Sequence, residues 1–129
     1  MTDIAIKELL SELVSLPHLD LLHYLLTESE GKHVAHCLDI DLVATGDTRE
    51  KAALKLDSLV KAHIELTLAT QRFENIATRA PRIYWDQYTE GKPIELDPRT
   101  LHIQIPESVQ IVPVSESKLR VLARAARAA

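Results

Sequence analysis

The chain is short of cysteine, glycine and aromatic residues: one Cys, three Gly, one Trp, three Tyr and one Phe in 129 positions. A lone Cys37 closes no internal disulfide, so the staples of small secreted domains are excluded and a reducing, cytoplasmic setting is expected. Long apolar runs are also missing. The densest, Leu21 to Leu26, is interrupted by His23 and falls far short of the roughly 18–20 residues of a membrane helix. No membrane partner is expected. The N-terminus, MTDIAIKELLSEL, carries acids early and has no basic stretch ahead of an apolar core, which argues against a secretory signal. Gly46 stands alone before a helical pattern, without the repeated glycines and lysine that wrap a phosphate, so it reads as a turn and helix cap. No cofactor is expected.

What is present suits one folded domain. Hydrophobic residues make up 46% and charged residues 26%, far from the composition that keeps a chain disordered. At 129 residues there is room for one core. The formal charge of −4 is unevenly spread. From Ser115 onward Lys118, Arg120, Arg124 and Arg127 oppose only Glu116, whereas the preceding residues hold 11 basic and 18 acidic side chains. The body should repel nucleic acid, while the tail could attract it or an acidic partner.

Periodicity orders the elements. Ile6, Leu9, Leu10 and Leu13 predict an amphipathic helix over Asp3 to Leu16, stopped by Pro17. Leu19 to Thr27 reads as a buried strand, Glu28 to Gly31 as a tight turn, and Lys32 to Leu38 as a second strand. Alternation in that strand sets Val34, His36 and Leu38 on one face and His33, Ala35 and Cys37 on the other. After a bend near Asp39 to Asp41, a third strand runs to Thr45. Three consecutive antiparallel strands are the economical arrangement. Asp47 and Thr48 are both N-cap residues, and Glu50 completes a capping-box spacing for a helix reaching about residue 73. Its sheet-facing stripe is expected to be Ala53, Leu56, Leu59, Val60, His63, Leu66 and Phe73. Together these make an α+β fold with a core over about residues 19–73. Residues 74–100, with Pro81, Gly91, Pro93 and Pro98, read as an irregular arm with a helical turn around Tyr84 to Tyr88. Tyr84, Trp85 and Tyr88 should cover the core or a partner. Residues 101–129 should give strands at Leu101 to Ile105 and Val109 to Val114, then a terminal helix over Lys118 to Ala128 capped by Ser117.

Val34-Ala35-His36-Cys37-Leu38-Asp39, then Ala44-Thr45-Gly46-Asp47-Thr48, then Lys51-Ala52-Ala53-Leu54-Lys55-Leu56 resembles the HicB-like family, whose wording runs close to G-x-V-A-x-C-P-E-L, A-x-G-D-T and E-E-A-L-x-N-L. Gly31 sits where that family keeps its hairpin glycine. The likeness spans Leu22 to His63, about a third of the chain. It implies a β-β-β-α unit with a further strand, a trimmed relative of the ribonuclease H fold that usually self-associates. Such proteins are typically antitoxins that bind a small RNA-cleaving toxin and carry a DNA-binding element at the C-terminus. This chain differs in its extra N-terminal helix, its proline-broken arm, and a C-terminal stretch with room for one helix where a ribbon-helix-helix needs two. Solitary HicB-like proteins are the nearer comparison.

Three sets of residues are candidates for chemistry. Asp39 and Asp41 share a strand face, as paired metal-binding carboxylates must, but no third acid has matching placement. His33, His36, Cys37 and His63 have metal-ligand side chains, yet His33 and His36 point to opposite faces; a buried cysteine and packed histidines are the plainer reading. Arg120, Arg124 and Arg127, at i, i+4 and i+7, align along one side of the predicted terminal helix and form the best surface for nucleic acid or an acidic partner. The expectation is a non-enzymatic, self-associating protein-binding module, a dimer or higher homo-oligomer that masks a small basic toxin through a sheet edge or the arm. The alternatives are a nucleic-acid-associated protein using the arginines and a divergent metal-dependent nuclease using Asp39 and Asp41.

Overall fold

The computed structural model describes residues 21–70, 79–94, 100–104 and 116–126. Their elements are β1 (Leu21–Ser29), β2 (Lys32–Cys37), β3 (Leu42–Gly46), α1 (Arg49–Thr70), α2 (Arg82–Glu90), β4 (Lys92–Pro93), β5 (Thr100–Gln104) and β6 (Glu116–Ala125). The expected helix over Asp3 to Leu16, the strand over Val109 to Val114, the helix end at Phe73 and Arg127 lie outside the described residues.

The first three strands form the antiparallel meander read from the sequence. Tyr24 pairs with Cys37 and Ser29 with Lys32 across the first hairpin, and Ala35 pairs with Ala44 across the second. The β1–β2 loop is Glu30-Gly31, with φ of 52° and 77°. Two positive φ values are what a two-residue turn needs to match strand twist, and glycine meets that need without steric cost. β1 therefore runs two residues further than Thr27. Asp41, also at positive φ (53°), turns the chain from β2 into β3.

Gly46 ends β3 for a different reason. A Cβ there would lie 2.6 Å from the Ala52 backbone nitrogen, so only glycine lets the strand meet the start of α1 this closely. Thr48 is the cap, its hydroxyl accepting from the Lys51 N–H at 3.1 Å. Asp47 instead pairs with Lys32 at 2.7 Å across the hairpin.

The expected terminal helix is overturned. Residues Glu116–Ala125 form β6, which lies parallel to β1, with Leu21 opposite Arg120 and Leu26 opposite Ala125. Alanine, leucine and arginine favour a helix locally, but β1 buries both its faces and needs a hydrogen-bonding neighbour on its second side. The tail alternates to suit: Leu119, Val121 and Ala123 face the main core, while Arg120, Leu122 and Arg124 take the other side. The sheet is mixed, in the order β3-β2-β1-β6-β4, with β5 also pairing β6.

Among the described residues one helix covers each face of the sheet. Under α1, Leu22, Tyr24, Leu26, Ala35 and Cys37 pack against Ala52, Leu56, Val60, Ile64 and Leu68, joined by Leu101, Ile103 and Leu119. Each fully buried leucine or isoleucine here contributes about 1.5–3 kcal/mol. Tyr24, buried, keeps its hydroxyl satisfied by donating to the Asp57 carboxylate on α1 at 2.9 Å. The buried stripe of α1 is turned from the expected one. Ala53, Leu56 and Val60 are buried as expected, but Ile64, Thr67 and Leu68 replace His63 and Leu66, and Leu59 and Leu66 stay 40% and 63% exposed. An Ala/Leu-rich helix has apolar residues on more than one side, and the sheet selects the Ile64/Leu68 side.

Candidate functional site

The second face of the sheet gathers the chemistry-bearing side chains. β1 presents His23 and Leu25 there, β2 presents His36 with Leu38 just beyond its end, and β6 presents Arg120, Leu122 and Arg124. The helical turn expected near Tyr84 to Tyr88 is α2, and its aromatic cluster covers this face. The His23 ring packs 5.3 Å from Trp85 and 5.4 Å from Tyr88, and the His36 ring 4.8 Å from Tyr84.

Each of these histidines is held by an aspartate of the β2–β3 bend. Asp39, fully buried, accepts the His23 backbone N–H at 2.6 Å and the His23 Nδ1 at 3.1 Å. Asp41 accepts from His36 Nε2 at 2.7 Å. A carboxylate only accepts, so the facing ring nitrogens must carry protons. His23 Nδ1 on Asp39 is the orienting half of a general-base arrangement, and Cys37 is not its nucleophile. Cys37 faces the α1 core on the opposite side of the sheet. Burial, with the nearby Asp39 charge, pushes its thiol far above the ordinary range and keeps it protonated. The two aspartates therefore close a turn against two histidines rather than converging on one point. His36 and His63 are separated too, since α1 packs on the Ala35/Cys37 face and His36 looks toward α2. Among the described residues no three His, Cys, Asp or Glu side chains cluster as metal ligands.

The arginine line does not form as a helical ridge. Arg120 and Arg124 share a strand face, which separates them by roughly 13 Å instead of one helical turn. The Arg124 guanidinium lies 4.9 Å over the Tyr88 ring and donates to the Tyr88 and Thr89 carbonyls, each at 3.4 Å. It caps the end of α2. Burial raises the Tyr88 phenol above its ordinary value, and the Arg124 charge partly offsets this. Arg79 stacks on Trp85 at 4.4 Å in the same way. The Trp85 Nε1 is buried without a hydrogen-bond partner.

Two surfaces were not singled out by sequence reasoning. One is an open cleft of about 850 Å³ at the hairpin end, where Glu28, Glu30, His33 and Arg49 meet Gln87 and Glu90 of α2. The other is the outer edge of β3. Among the described residues β3 pairs with β2 alone, and its Val43 is 48% exposed. A strand that ends in a GDT turn and hands the chain to a helix was a readable signal for that edge. Among the described residues, no helix is long and apolar enough to cross a membrane. Compared with models of known protein families, with curated proteins and with solved structures, the chain matches none of them.

Proposed function

We propose that the chain is a non-enzymatic, self-associating protein-binding module of the HicB-like kind, working in the cytoplasm as an antitoxin that masks a small basic toxin. The observation that carries this reading is the β3 edge. A strand bonded on one side only leaves a row of N–H and C=O groups to pair with another protein's strand. Val43, exposed beside it, adds an apolar anchor. The antiparallel β1–β3 meander leading through Gly46 into α1, with β6 as the further strand beside β1, supports the likeness to that family. A formal charge of −4 suits a basic partner. Asp39 and Asp41 are each engaged by a separate histidine, which favours this reading over a nuclease with paired carboxylates.

Affinity capture from the native cell tests it. The tagged full chain is expected to recover a small basic protein whose RNA cleavage stops when the purified chain is added back, and Val43→Lys should weaken that inhibition. Repeated recovery of no such protein, or undiminished cleavage, counts against the antitoxin role.

A further inference from the structure

The outward side of α1 carries a pattern that packing against the sheet does not explain. Lys55, Leu59, Ala62, Leu66 and Ala69 follow one another at spacings of four, three, four and three, and all five are exposed. That 3.5-residue repeat differs from the Leu56, Val60, Ile64 and Leu68 spacing of four that meets the sheet, and it is the repeat by which one helix seats on another. We infer that α1 is the self-association surface, and that its occupant is α1 of a second copy, antiparallel about a two-fold axis. The inference rests on the self-associating reading above and assigns it a surface, leaving the β3 edge to the other partner.

The sequence of the stripe chooses both occupant and direction. Run antiparallel, the stripe from Leu59 to Ala69 matches itself layer by layer: Leu59 faces Ala69 of the second copy and Leu66 faces its Ala62, each large side chain against a small one. The same contacts recur across the two-fold axis. Alanine in every layer lets the helices approach closely. In this register Lys61 of each copy lies within one turn of Glu65 of the other, on the same flank of the seam, so opposite charges border it. A parallel pairing would set leucine on leucine and align the two helix dipoles, both less favourable. Glu65 is already positioned, since it accepts the Gln104 backbone N–H at 2.7 Å.

Sedimentation equilibrium of the purified full chain and three variants tests this, with circular dichroism checking that each folds. Leu66→Lys changes a 63% exposed side chain, so it should fold as the parent does while raising the dimer dissociation constant on the order of a hundredfold. Leu54→Lys, also exposed (58%) but off the stripe, should leave the constant unchanged. Lys61→Glu should raise it a few-fold. A dimer indifferent to Leu66→Lys, or weakened equally by Leu54→Lys, overturns the seam and leaves self-association standing. A monomeric parent overturns self-association itself, and the seam with it. So does a monomer in which Leu66→Lys lowers stability, because the stripe is then covered within one chain.

Discussion

Under α1 the sheet presents leucine, alanine, tyrosine and cysteine to a 22-residue helix, and the contact is almost wholly apolar. Under α2 it presents two histidines, two leucines and an arginine to a nine-residue helix, and the contact is made of rings, carboxylates and stacked guanidinium groups. Apolar area scales with helix length and holds without orientation, so the first face carries the stability of the domain. Ring and charge contacts hold only in one geometry and individually contribute about 0.5–1.5 kcal/mol. The second face should therefore open locally while the first stays closed. The chemistry-bearing residues lie on the less stable side, and their hydrogen bonds serve to dock α2 and close the bend.

Mutations separate the two faces, and the largest effect belongs to the first. Leu56→Ala, at a fully buried position under α1, should cost about 2–5 kcal/mol and lower the unfolding midpoint of the whole domain in denaturant. Asp39→Ala strikes the second face. It strips the part-buried His23 N–H of its acceptor and should cost about 1–3 kcal/mol. Because Trp85 is the single tryptophan and touches His23, its fluorescence should change in this variant before circular dichroism reports any loss of the sheet. Equal and simultaneous loss by both probes would mean that the two faces are not separable.

The smallest effect is expected at the exposed Lys32–Asp47 pair. Lys32 holds the Asp47 carboxyl below the usual carboxylate range, chiefly by its hydrogen bond and then by its charge. A carboxyl depressed in the folded state stabilises it above the unfolded carboxyl's pKa, and that help fades as pH falls through the lower folded value. Lys32→Met should move Asp47 up toward the usual range in an NMR titration, with Lys51 and Lys55 still pulling it down, and leave neutral-pH stability almost unchanged.

The first half of the domain was legible because its signals are local. Gly31 marks a turn with positive φ, Gly46 a close approach, Thr48 a cap, and the strands between them alternate. Its α1 face was misread at Leu59 and Leu66, since periodicity shows that a helix has apolar sides without showing which of them meets the sheet. The tail was misread more seriously. Arg120 and Arg124 have helical spacing, and the surrounding alanines favour a helix, yet Leu119, Val121 and Ala123 alternate with Lys118, Arg120, Leu122 and Arg124 as the two faces of a strand do. The vacant hydrogen-bonding side of β1, a long-range demand, decided between the two patterns. The pairing of Asp39 with His23 across 16 residues was illegible for the same reason: only the folded bend brings them together.

Sedimentation equilibrium of the unmodified chain at neutral pH, over a wide range of concentrations, bears most directly on the self-associating reading. The expected mass is twice the 14.5 kDa of one chain. A mass of 14.5 kDa at every concentration would contradict it.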